Sequence, residues 1–378
     1  MLPFARMVKY GNIKVKSTIQ KVILGGGGQC VVTLLSDGRV YGRGYNTTHG
    51  LGTGTTTFVS DWVLMGDNIV DIHSNGVTGT FLITKENRIL YSGFATPING
   101  TTSHYTRFTD LTSTVFAAVD VSNIKTITGN GNVTMVLLND GSLYGSGANI
   151  GVIGNGSNVA LSTQTYVTND VRDVKTYPSM NTITKNNNQI LASGILYQGV
   201  NGTNSSINTS SYTLLYTLPS SDCFQFAFDT YTFGYVDPST NTSYIRGIPI
   251  NGSLGNGVTN NTAVTTWVTK VWNTPIDSSI PNKSYTTNHV SLFNDGNLWT
   301  TGASSVGYSN GTNSTTANTW TSSSNLPFNT NNITDYAFGG SITVVVIDYR
   351  TMYILANNAI AGTATTTYKF EPYNSPPV

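Results

Sequence analysis

The 378-residue sequence is short of charge. Its 19 Lys and Arg and 18 Asp and Glu make up 10% of the chain and leave a formal charge of +1, where a globular domain usually carries about 25% charged residues. That excludes a basic nucleic-acid binder, an acidic tail and a helical protein laced with ion pairs. Cysteine is nearly absent: Cys30 and Cys223 each sit in an apolar, strand-like run. They read as small buried hydrophobes with free thiols. No spacing supports a disulfide, and no metal pattern is present. No apolar run approaches the roughly 18 residues of a membrane span, so no membrane insertion is expected. The amino terminus, Met1-Leu2-Pro3-Phe4-Ala5-Arg6-Met7, lacks a basic region followed by a long apolar stretch, so it does not read as a secretory signal. The many Asn-x-Ser/Thr triplets, such as Asn99-Gly100-Thr101, then reflect composition. With charge scarce, the surface is left to Asn, Thr, Ser, Gly and Tyr.

What is present is a repeat. Val31-Val32-Thr33-Leu34-Leu35-Ser36-Asp37-Gly38-Arg39-Val40-Tyr41-Gly42-Arg43-Gly44 returns at 135–147 and at 290–302. Weaker copies end at Gly93, Gly194 and Gly247, and a degenerate seventh ends at Ala356. The end points are 44, 93, 147, 194, 247, 302 and 356, a mean step of 52 residues. Each unit holds an apolar β-branched run, an Asp-Gly or Asn-Asn turn, an apolar-aromatic pair and a terminal glycine. A Gly-rich loop, a Thr-rich strand and a short further strand follow. The turn pairs Asp37-Gly38, Asp140-Gly141 and Asp295-Gly296 predict two-residue type I′ hairpins, in which both central residues take φ > 0. Gly44, Gly147 and Gly302 close the crispest copies.

Seven units of about four strands, with no convincing helix, predict an all-β chain folded as a seven-bladed β-propeller. A straight β-solenoid has shorter repeats without a hairpin in each. Residues 21–378 are assigned to the ring and residues 1–20 to an extra segment. Two roles stand open for that segment: completing a blade to close the ring, or docking on a neighbouring subunit through Leu2, Phe4 and Met7.

The run Ser36-Asp37-Gly38-Arg39-Val40-Tyr41, then Gly44, Asn46 and Leu51-Gly52-Thr53-Gly54, resembles a repeat of the regulator of chromosome condensation family. The resemblance spans nearly the whole chain by period and implies a seven-bladed propeller. The family's usual Trp before the terminal glycine is replaced by Arg43, Ser146 and Thr301. The resemblance implies nucleotide exchange on a small GTPase and chromatin binding as the family's best-known activities. Chromatin binding requires a basic tail or stripe, and Lys9, Lys14, Lys16 and Lys21 form only a thin cluster, read as a solvated segment.

Nothing in the sequence names a reaction, a cofactor or a metal. Gly25-Gly26-Gly27-Gly28 lacks the Gly-Lys-Ser/Thr and the helix of a phosphate loop, and reads as a turn between strands. His49, His73, His104 and His289 lie in separate units without ligand spacing. Strand aromatics (Tyr41, Trp62, Tyr144, Trp267, Trp299) are expected between blades. The loop tyrosines Tyr45, Tyr105, Tyr197 and Tyr308 either pack in their loops or bind sugar or protein with an apolar face and a polar tip.

Two functions follow. The first is a non-enzymatic virion protein, a bacteriophage tail, fibre or capsid-decorating component. It would be made in the host cytoplasm and would bind other virion proteins, a host-surface glycan or a host protein through its loops. The analogy rests on composition. The alternative is an intracellular interaction propeller, such as a GTPase exchange factor or adaptor. Neither reading includes a nucleic-acid partner.

Overall fold

A computed structural model describes residues 17–377 apart from 26–29, 77, 178, 229–230, 275, 277–283, 286–288, 304–315, 324–325, 340–341 and 357–370. The chain is a seven-bladed β-propeller. Blade one is the sheet Ile19–Gly25, Cys30–Leu35, Val40–Gly44 and Val59–Gly66, with its strands side by side in sequence order. Blades two to five repeat that order, starting at Ile69, Ile124, Val171 and Phe224. Blade six has His289–Asn294, Asn297–Ala303 and Thr316–Ser323. Ser284–Tyr285, just before it, runs parallel to the inner strand Ile333–Gly339 of blade seven. The fourth strand of blade seven is Glu371–Tyr373, near the carboxyl terminus. Residues 1–16, with Leu2, Phe4 and Met7, lie outside the described residues. Of the segment 1–20, Ile19 and Gln20 open the inner strand of blade one. The only α-helix among the described residues is the single turn Thr96–Asn99, which departs from the helix-free reading.

The second strand of each blade explains the packing. Cys30–Leu35, Gly79–Thr84, Val133–Leu138 and Ile342–Ile347 are buried at every position. A sheet covered on both faces needs apolar residues on both, so these strands read as continuous runs without alternation. The core is accordingly seven apolar slabs, one between each pair of neighbouring blades. In the first, Ile19, Leu24 and Val31 of blade one meet Val344, Ile354 and Tyr373 of blade seven. The expected strand aromatics do lie in these slabs: Tyr41 and Trp62 in the first, and Tyr144, Trp267 and Trp299 in others. Burial pushes the Cys30 thiol up to about 12, and both cysteines are free.

The ring closes by contacts between its first and last blades. Ile19 N–H donates to Tyr349 O (2.7 Å), and Val22 N–H to Asp335 Oδ2 (2.7 Å). Trp62 Nε1 donates to Asn374 O (2.7 Å), and its ring meets Tyr373 edge to face at 5.7 Å. The Arg43 guanidinium lies 5.0 Å over the same Tyr373 ring.

The hairpins differ from the two-residue reading in the early blades. Gly38 (φ 87) and Gly141 (φ 85) are left-handed, but Asp37 and Asp140 are not. Gly38 N–H donates to Leu35 O and Gly141 N–H to Leu138 O, which makes three-residue loops whose last residue is left-handed. Asp37 Oδ1 accepts from Arg39 N (3.1 Å) and Asp140 Oδ1 from Ser142 N (2.8 Å), so Asp is used as a side-chain turn former and not for its own φ. Asn87 and Asn188 take the left-handed place in blades two and four. Only blade six has the expected pair: Asn294 faces Asn297 across Asp295 (φ 54) and Gly296 (φ 73).

Six of the seven repeats end in glycine, and in four of them the structure gives a steric cause. Gly44, Gly93, Gly147, Gly194, Gly247 and Gly302 all have φ between 97 and 144°. At Gly93, Gly147, Gly194 and Gly247 a Cβ would meet a carbonyl oxygen at 2.3, 2.4, 2.3 and 2.0 Å. Each of those oxygens accepts from the residue after the glycine, as Tyr231 O does from Ile248 N (2.8 Å). Gly257 is also left-handed (φ 83), but a Cβ there would meet nothing within 4 Å. Gly257→Ala should therefore lose about 1 kcal/mol and Gly247→Ala at least about 2 kcal/mol in chemical denaturation, since only the second adds a clash to the left-handed penalty. Equal losses would contradict this packing.

Candidate functional site

Topology sorts the loops onto two faces. The hairpins between second and third strands share one face with the linkers that join blades. The loops from third to outer strands lie on the other. The loops 45–58, 95–103, 148–160, 197–206 and 248–263 contain no Asp, Glu, Lys or Arg. The hairpins carry Asp37, Glu86, Asp140, Asp237, Asp295 and Asp348. The linkers add Asp67, Asp110, Asp120, Asp170 and Asp222. Against these eleven acids the same turns and linkers hold, among the described residues, five bases, Arg39, Lys85, Arg88, Lys185 and Arg350. Among the described residues the ring therefore presents one charged, net acidic face and, opposite it, loops without charge that are rich in Asn, Thr, Ser and Gly.

The inner rim of the charged face is held by side chains that a bulge re-aims. The register slips between Ile19 and Lys21, Ile69 and Asp71, Val171 and Asp173, and Ile333 and Asp335. An extra residue there turns the next side chain toward the neighbouring blade. Asp71, Asp173 and Asp335 each accept from the following backbone N–H through Oδ1. Lys21 Nζ reaches Asp71 Oδ1 (2.6 Å) from blade one, while His73 Nε2 lies 3.0 Å from Asp71 Oδ2. His73 Nδ1 accepts from Ile127 N of blade three (3.3 Å). Lys125 Nζ donates to Arg172 O (2.7 Å), and Arg172 bonds Ser221 O and Cys223 O beyond its own blade. These groups, which include the His73–Asp71 pair, link blades one to five and are occupied in doing so.

The uncharged face is built by side-chain amides. Asn46, fully buried, accepts from Leu51 N (2.8 Å) and donates to Thr53 Oγ1 (2.9 Å). Asn149 does the same in blade three with Gly151 N and Asn155 Oδ1. The Gly-rich motif that follows reaches the next blade. Gly54 N–H donates to Thr106 O, Gly156 N–H to Ser210 O and Gly257 N–H to Asn318 O. The first glycine of each motif slides under an aromatic ring of that blade, so a Cβ at Gly52, Gly154 or Gly255 would lie 2.3–2.7 Å from Phe108, Tyr212 or Trp320. Sequence reading identified the motif but not this clasp.

The candidate tyrosines are not free on the surface. Tyr45 is half-buried against the slab between blades seven and one, 5.1 Å from Phe58. Tyr105 lies in the strand His104–Asp110 and not in a loop, against the slab of blades two and three, and its hydroxyl accepts from Asn99 Nδ2 (3.2 Å). Tyr197 packs on Tyr231 at 4.9 Å. Tyr308 lies outside the described residues. Tyr45, Tyr105 and Tyr197 lie against three different slabs and do not come together. The structure does bring together two histidines that the sequence leaves unrelated, His49 of blade one and His104 of blade two, with ring centroids 5.5 Å apart.

No family model matches the sequence, and no curated protein sequence matches it. Solved structures do match in fold. Prp20p of Saccharomyces cerevisiae, described with its binding properties to Gsp1p and histones, superposes with a TM-score of 0.71 at 13% identity, over 90% of this chain and 87% of that one. Yeast RCC1 (Prp20) in a complex with Kap60 gives 0.71 at 12% identity, over 99% and 91%. Human WBSCR16 gives 0.68 at 12% identity, over 89% and 94%. The fold is an RCC1-like β-propeller.

The rim makes a pH prediction. Burial raises the Asp71 carboxyl, but His73 and Lys21 outweigh it and hold the group well below its ordinary value. A depressed carboxyl stabilises the fold above its unfolded pKa of 3.8 and loses that contribution as pH falls toward its folded value. Asp71→Asn should lower the melting temperature at pH 7, and the deficit should shrink steadily below pH 4. A deficit independent of pH would remove the charge as its cause.

Proposed function

We propose that this chain is an interaction propeller of the adaptor or exchange-factor kind, engaging a protein partner through its charged hairpin face. One observation carries the proposal: among the described residues the hairpins and linkers are rich in charge, while the five described loops from third to outer strands have none. Charge on a rigid rim steers and orients a protein partner, and loops on a fixed scaffold supply the contacts. The whole-length likeness to Prp20p, with its stated binding to Gsp1p and histones, supports a protein as the partner. The virion reading from composition draws no support from these likenesses, and the interaction reading does.

Lysine distribution makes this testable. Lys21, Lys85, Lys125, Lys185 and Lys270 lie at the hairpin ends of their strands or in the turns beside them. Amine cross-linking in the native source should join these lysines to one recurrent protein. Glu86→Lys with Asp222→Lys, both exposed positions, should lower its recovery several-fold without changing the melting temperature, as reversal of rim charges slows association. Nucleotide release from a small GTPase separates an exchange factor (accelerated) from an adaptor (unchanged). Recovery that ignores the reversal, or cross-links only to particle proteins in purified virions, would sink the interaction reading.

A further inference from the structure

His49 and His104 are 55 positions apart in the sequence. His49 sits in the loop of blade one in a left-handed conformation (φ 63). Its N–H donates to Asn46 O and its carbonyl accepts from Gly52 N, both at 2.9 Å. His104 opens the outer strand of blade two and pairs with Phe94. Buried Ser92 fixes both backbones: its Oγ lies 2.6 Å from His49 O and 2.9 Å from the carbonyl of Tyr105, the residue after His104. The clasp from Gly54 N to Thr106 O (2.9 Å) ties the same two segments again.

The two imidazoles meet edge to face, with an interplanar angle of 64°. His49 hydrogen-bonds the Thr55 backbone, and burial, with His104 beside it, holds its pKa below the ordinary value. Its Nδ1 is buried and has no hydrogen-bond partner, and the neighbouring Thr48 Oγ1 is in the same state. An imidazole with one nitrogen on a backbone carbonyl and the other bare is arranged as a metal-ligating histidine is. A metal about 2.0 Å from each nitrogen in tetrahedral geometry places two ring centres about 5 Å apart, and the observed separation is 5.5 Å. His104 is exposed and also packs edge to face on Phe94 at 4.6 Å; a flip about its Cβ–Cγ bond exchanges which ring edge faces His49 and keeps that packing.

We propose that His49 and His104 form a binding site for a late first-row divalent cation, Cu2+ or Zn2+, across the seam of blades one and two. Imidazole suits these ions. Two protein ligands leave positions for water, and the ion cross-links the uncharged loop 45–58 to the next blade's outer strand.

The test titrates Cu2+ into the full chain, followed by calorimetry and electron paramagnetic resonance. One equivalent should bind with couplings from two imidazole nitrogens. His104→Gln and His49→Asn should each weaken binding by at least about tenfold; Asn tolerates the left-handed turn that His49 occupies. Zn2+ should raise the melting temperature of the unmodified chain and not of the His104→Gln variant, because a ligand of the folded state stabilises it. If His49→Asn does not fold, the exposed His104 position decides alone. Absence of stoichiometric binding, or nitrogen couplings and affinity that survive His104→Gln, would overturn the site.

Discussion

The ring depends on one crossing, repeated in blades two to five, where the third strand ends and passes a carbonyl at the turn between the first two strands. Only glycine fits there, since the oxygen occupies the space of a Cβ at Gly93, Gly147, Gly194 and Gly247. The residue just before that glycine is then aimed at the preceding blade. Ser92 Oγ lies 2.6 Å from His49 O, Ser193 Oγ donates to Val152 O, Arg246 Nε to Val200 O and Thr301 Oγ1 to Gly252 O, each bond crossing a blade boundary. Seven apolar slabs supply the bulk attraction between blades, but attraction between flat sheets does not fix their register. The crossing does, because it sets a buried donor opposite a buried carbonyl that would otherwise lack a partner.

This explains the departures from the family's Trp at the same place. Arg43 lies over Tyr373 at the ring closure, Ser146 accepts from Gln164 Nε2 (2.8 Å), and Thr301 donates into the loop of blade five. Large aromatic area has been exchanged for directional bonds, consistent with a chain rich in hydroxyl and amide groups. Arg246 combines both: it is buried, lies 4.5 Å over Trp267 and donates to Val200 O. Burial lowers its pKa, and the aromatic face and the carbonyl together replace a carboxylate partner.

Period and glycine placement made the architecture legible from sequence, because both arise from constraints that recur around the ring. The hairpin type was misread in the early blades because Asp-Gly serves two geometries. In blade six the two residues span the turn, while in blades one and three Ser36 and Asn139 join the loop and Asp acts through its carboxylate. Tyr105 was misplaced because the outer strand begins at His104, with no apolar signal to mark it. The face polarity could have been found by noting which loops lack charge once the strand order was assumed. The histidine pair could not, since it depends on how far the Gly-rich clasp carries one blade's loop onto the next.

Low charge and face polarity are linked. Outer strands expose unpaired edges, and a chain with few lysines has to guard them otherwise. Here the register of the outer strands slips at Tyr41, Tyr144 and Leu191, and the odd blades' clasps bond the outer edges of blades two, four and six. Those clasps must lie on the third-to-outer loops, and an ionised side chain buried between a loop and an aromatic ring would be costly. The clasp-bearing loops of blades one, three and five are therefore without charge. Loop charge among the described residues is gathered in the hairpins and linkers, where Asp and Asn also form the turns. The segregation of loop charge thus follows from how the edges are protected.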